Sequence, residues 1–136
     1  MGVARAISML IVRRLVGQDM LVRMLIEYAY GKCSISEAAH AAGVTKHVMR
    51  GILQRLNEEL GGAPIAVAFL RMVGPYVMML RVKPIIRNGM CLICSFAGDR
   101  VLMMDHIHKR HRDLVRRYVA DVVELVKIKA PIQNRS

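Results

Sequence analysis

Cys91-Leu-Ile-Cys94 is followed by eleven residues, His106, four residues and His111, and this spacing constrains the chain more than any other feature in it. Two thiolates from a tight knuckle and two imidazoles about one helical turn apart can converge on a tetrahedral ion. In a chain of 136 residues, a C-terminal module too small to order its own core gains folding energy from such an ion. Turn signals at Asn88-Gly89 and Gly98-Asp99 bracket the cysteines, and the histidines fall inside a helical pattern. The expected site is one structural Zn2+ held by Cys91, Cys94, His106 and His111. His108 points to a different helix face from His106, so His108/His111 is the alternative imidazole pair; spacing favours His106/His111. Four good ligands close the shell against catalysis, and the βαβ surroundings of a redox Cys-x-x-Cys are missing.

Residues 89–111 resemble the two-Cys, two-His zinc-finger family, a ββα unit, with Phe96 and either Leu102 or Met103 where that family keeps its small apolar core. The interval from Cys94 to His106 is one residue shorter than the family's usual spacing of about twelve, so the hairpin tip must tighten. The family's base-reading helix positions fall on Asp99, Val101, Leu102 and Asp105, which are acidic or apolar and ill suited to guanine or phosphate. The module is therefore expected to brace the fold instead of reading DNA.

The N-terminal half follows helical periodicity. Ile7, Leu10, Ile11 and Leu15 mark a helix over residues 1–16, with Arg5, Arg13 and Arg14 placed on its surface, and Met20, Leu21, Met24, Leu25 and Tyr28 mark a second before Gly31. Ser34 and Glu37 have capping-box spacing at the start of a third. Ala38, Ala39 and Ala42 are small where two helices approach closely, Gly43 suits a tight left-handed turn, and Thr45 can cap the next helix. Met49 and Ile52 supply that helix's inner face, leaving Thr45, Lys46, His47, Arg50 and Gln54 outward.

The segment 35–56 resembles the helix-turn-helix of bacterial and archaeal transcription regulators through its Ala-Ala, Ala-Gly-Val-Thr and following apolar positions. The resemblance implies that the helix after Gly43 enters the major groove of double-stranded DNA, with Thr45, Lys46, His47, Arg50 and Gln54 as its contacts. Two apolar runs around Gly74-Pro75 make residues 65–82 a β-hairpin, the wing of a winged helix-turn-helix; one helix interrupted by Gly-Pro is the competing reading. The fold class expected is mainly α with small β-hairpins: a helix-turn-helix domain over 1–83, then the zinc finger with a long C-terminal helix over 88–129, and a tail over 130–136.

That long helix is expected to begin between Arg100 and Met103, to continue to about Lys129 and to stop at Ala130-Pro131. Leu114, Tyr118, Val122, Leu125 and Val126 give it an apolar face, to be covered either by the first helix of the same chain or by a two-fold homodimer. Its basic run, Lys109-Arg-His-Arg112 with Arg116-Arg117, is a candidate for phosphate contact.

Composition excludes whole classes of function. The chain is 54% hydrophobic and carries a net charge of +11, too apolar for a disordered basic tail and too charged at Arg71 and Arg81 for residues 64–82 to span a membrane. Residues 1–62 hold 8 Lys and Arg against 5 Asp and Glu, net +3, and residues 63–136 hold 13 against 5, net +8, so the excess lies outside the helix-turn-helix. Three cysteines, two of them in one Cys-x-x-Cys, suit metal binding inside the cell better than a secreted disulfide framework, and Cys33 reads as a small buried hydrophobe. The whole resembles small archaeal transcription regulators, DNA-associated and not enzymatic. Its rivals are a zinc-dependent protein-interaction adaptor and an RNA-associated basic protein; aromatics at only 4% of the chain weigh against base stacking.

Overall fold

The computed structural model describes residues 2–135, with side chains to residue 129. The order of elements is α1 (Gly2–Leu15), α2 (Asp19–Ala29), α3 (Ile35–Ala42), α4 (Lys46–Glu59), α5 (Ala66–Met79), β1 (Ile86–Arg87), β2 (Met90–Cys91), α6 (Arg100–Arg110) and α7 (Arg112–Arg135). The fold is mostly α-helical, with one small antiparallel hairpin leading into the helices that carry the histidines.

α1 is the axis of the molecule. Ala6, Ile7, Leu10, Ile11, Val12 and Leu15 are all essentially buried, because α2, α4, α5, α6 and α7 each pack against this one helix. Arg13 and Arg14, expected on the surface, are buried as well. Arg14 Nη1 donates 2.8 Å hydrogen bonds to the carbonyls of Val77 and Leu80, and its Nε pairs with Asp19 at 3.1 Å. A buried cation is tolerated here because it satisfies carbonyls at the end of α5 that have no helical partner. Arg13 donates to Gln18 Oε1 at 2.9 Å, and burial, then the nearby Arg55 and Arg100, push its pKa below the usual arginine value.

Residues 65–82 are not a hairpin. They form α5, with Gly74-Pro75 inside the helix, so the wing expected there is absent from this segment. The turn dipeptide has another cause. A Cβ on Gly74 would lie 2.7 Å from Ile26 Cγ1, so glycine is needed where α2 crosses α5. Pro75 lacks the amide that would bond the Arg71 carbonyl four residues back. That carbonyl instead accepts a 2.6 Å bond from the Tyr30 hydroxyl, while Arg71 Nε donates to the Ala29 carbonyl at the end of α2. The two helices thereby repair each other's backbone.

α6 and α7 are two helices, not the continuous one expected, with the break at His111, whose φ of −118° and ψ of 35° leave the helical region. α7 also continues past the expected stop at Ala130-Pro131 to Arg135. Pro131 removes only the bond to the Lys127 carbonyl, and Lys127 is exposed, so water can take that acceptor. Most of the apolar face of α7 packs within the chain: Val115 and Val122 are buried in the common core, with Leu114, Tyr118 and Val126 packed around them, while Leu125 lies half-buried outside that core. The expected tail falls within this helix; Ser136 and the side chains from residue 130 onward lie outside the described residues.

No helix among the described residues is long and apolar enough to cross a membrane.

Candidate functional site

The metal centre is assembled from three local devices. Asn88 and Gly89, with φ of 52° and 73°, make the tight turn that pairs β1 with β2 antiparallel, Ile86 opposite Cys91. A second reversal follows: Ser95, at φ 66°, donates to the Cys91 carbonyl, the Cys91 amide donates to the Phe96 carbonyl at 2.8 Å, and Met90 bridges to Ala97. This knuckle presents both sulfurs. Asp99 then caps α6 by accepting from the Leu102 amide at 2.9 Å, which starts the helix where His106 and its successor His111 face the knuckle.

The donor atoms of Cys91, Cys94, His106 and His111 all lie within 4.8 Å of one another. His111 Nε2 stands 3.4 Å from Cys91 Sγ, 3.6 Å from Cys94 Sγ and 3.2 Å from His106 Nε2, and Cys94 Sγ is 3.1 Å from His106 Nε2. Ligands about 2.3 Å (sulfur) and 2.0 Å (nitrogen) from a central zinc have tetrahedral edges of about 3.3 to 3.8 Å, and these four separations lie close to that range. His106 and His111 stand in the cluster, and His108 is not part of it. Four donors leave no open coordination position for a substrate. The protein carries a Cys2His2-type cluster able to bind a metal ion.

Burial and a neighbouring aromatic ring act on two of the four ligands. Burial, then the neighbouring His106, push the His111 imidazole below its ordinary pKa, which keeps it neutral and able to donate a lone pair. Phe96 stacks on His106 with ring centroids 4.4 Å apart and planes within 8°, fixing the imidazole's orientation. This is a different use of Phe96 from the core position the finger resemblance implied. The small core falls to Met103, which is buried, whereas Leu102 is 52% exposed. Sequence spacing could not separate Leu102 from Met103, nor show the stacking.

The second candidate surface is α3–α4. Ser34 and Glu37 make the capping box reciprocally: the Glu37 amide donates to Ser34 Oγ at 3.1 Å and the Ser34 amide to Glu37 Oε1 at 2.8 Å. Gly43 takes the left-handed conformation, φ 72° and ψ 27°, that lets α4 start almost immediately. Thr45 caps α4 by accepting from the Val48 amide at 3.2 Å. Ala38 and Ala39 are buried where the helices meet, and Met49, Ile52 and Leu56 anchor α4 in the core. Thr45, Lys46, His47, Arg50 and Gln54 are exposed on the other side, and neither Lys46 nor Arg50 makes an ion pair among the described residues.

Comparison with known proteins finds no matching family model, no matching curated protein and no matching solved structure.

Proposed function

We propose that this protein is a sequence-specific DNA-binding transcription regulator, acting inside the cell, whose α4 reads the major groove of double-stranded DNA and whose C-terminal cluster holds one structural Zn2+. The observation that carries the reading is α4 itself. A helix capped at Thr45, bedded through Met49, Ile52 and Leu56, presents Lys46 and Arg50, neither ion-paired among the described residues, with Thr45, His47 and Gln54 on its free face. Arg50 suits bidentate bonding to guanine, Lys46 suits phosphate at the helix start, and Val48, 41% exposed between them, suits a thymine methyl. Two thiolates and two imidazoles select zinc over the hard oxygen-seeking cations.

Selection of bound sequences from a random duplex pool, with RNA as competitor, tests this. An enriched motif lost in a folded, zinc-loaded Lys46→Ala/Arg50→Ala variant is expected, and a palindromic motif would mark a two-fold homodimer. No enrichment, or a motif unchanged in the variant, ends the assignment to α4.

A second reading, an adaptor that binds another protein through the metal module, is favoured by one observation. Leu92 and Ile93 at the knuckle are each 57% exposed, and Val101 at the start of α6 is 71% exposed. Leu92 and Ile93 are adjacent in the chain, and neighbouring exposed apolar side chains suit a protein contact.

A further inference from the structure

Part of the basic run of the C-terminal half, Lys109 with Arg112 and Arg116, borders a groove. Where α6 breaks into α7, the run meets the N-terminal half of α1 across this groove of about 770 Å³. Arg5 and Ser8 of α1 form one wall, and Lys109, Arg112 and Arg116 form the other. Its floor is apolar, with Val115 buried and Val119 half-buried. No carboxylate lines it. Two cations are partly neutralised from the rim, Lys109 by Asp105 at 3.2 Å and Arg5 by Glu59 at 3.9 Å. Arg112 and Arg116, one helical turn apart and both exposed, have no carboxylate partner among the described residues.

We propose that this groove is a phosphate-binding site, separate from α4, in which Arg112 and Arg116 of α7 face Arg5 of α1 and engage the phosphate groups of an anionic ligand. Like charges lining one groove repel one another, and a ligand bearing several negative charges relieves that repulsion. Guanidinium groups match phosphate oxygens in fork geometry, so two of them on adjacent helical turns suit neighbouring phosphates better than a single anion. The Ser8 hydroxyl adds a neutral donor. The same phosphate chemistry is offered by a free phosphorylated compound, which could lay its apolar part on Val115 and Val119, or by the backbone of a nucleic acid.

The test uses the full zinc-loaded chain and the surface variant Arg112→Gln/Arg116→Gln, with Lys46→Ala/Arg50→Ala as the control for diffuse positive charge. Titration with inorganic tripolyphosphate is expected to show one saturable site, weakened at least tenfold in the α7 variant and unchanged in the α4 variant. A second arm measures affinity for a duplex of arbitrary sequence against salt. A slope of log affinity against log salt reduced by about two in the α7 variant assigns the groove to nucleic-acid backbone. An unchanged slope, with tripolyphosphate binding lost, assigns it to a free phosphorylated ligand. Equal weakening of tripolyphosphate in both variants, or none in the α7 variant, overturns the site. Because tripolyphosphate binding needs no DNA, a groove that behaves as stated in a protein with no selected motif would remove the reading of α4 and leave this one standing.

Discussion

At the scale of single residues, Gly74-Pro75 shows how one signal supports two structures. Both residues break regular structure, so two apolar runs around them read as strands and a turn. In the folded chain each has a tertiary reason: the glycine admits Ile26, and the proline's cost is offset by Tyr30. Neither partner is near in sequence, which is why the periodicity of residues 65–82 could not choose. The arrangement makes a measurable coupling. Tyr30→Phe removes that donor from the Arg71 carbonyl and is expected to cost about 0.5–1 kcal/mol in denaturant unfolding. Pro75→Ala restores an amide four residues after Arg71, so the same Tyr30→Phe change made in that background is expected to cost less than half as much. Equal costs in the two backgrounds would show that the hydroxyl does not stand in for the missing amide.

At the scale of elements, helix ends were the most legible part of the sequence, because capping depends on residues a few positions apart. Ser34 with Glu37, Gly43 and Thr45 occupy in the structure the roles their types imply. The break at His111 was not legible, since Arg110, His111 and Arg112 carry no helix-stopping residue; the turn of the chain there goes with bringing His111 onto the sulfurs. The capping box has a consequence in pH. Hydrogen bonds from the Ser34 backbone, then from its side chain, hold the Glu37 carboxyl below the usual glutamate pKa. A carboxyl lowered in the folded state stabilises above its unfolded pKa, and that contribution is lost as the pH falls through the folded value. Glu37→Gln keeps a capping acceptor but takes up no proton. Stability of the variant is therefore expected to fall less steeply than that of the wild type as the pH drops through and below the ordinary carboxylate range. Parallel acid profiles, measured by denaturant midpoint, would count against the box as a source of acid sensitivity.

At the scale of the whole molecule, the sequence suggests two modules, and the chain between them, residues 81–85, has no regular secondary structure. Both nevertheless use α1, and the Ile85 amide donates to the Leu15 carbonyl at its C-terminal end, tying the metal hairpin to the axis of the helical core. The cores themselves are unequal. The common core takes in residues from α1 to α7, Ile107, Val115 and Val122 included, whereas Cys91 and Met103 are buried outside it, within the metal module. A metal ion thus has most to do where apolar burial is least. Removing it with a strong chelator is expected to abolish amide-exchange protection across residues 86–106 while residues 6–79 keep theirs, with α7 retained through Val115 and Val122. Cys94→Ser should give the same pattern and bind much less metal than the wild type. Cooperative loss of the entire helical signal would show that the metal holds the whole fold together, and full protection after chelation would show that the four side chains converge without needing an ion. The intermediate outcome follows from the burial pattern, because α1 is covered mainly by helices that contain no ligand.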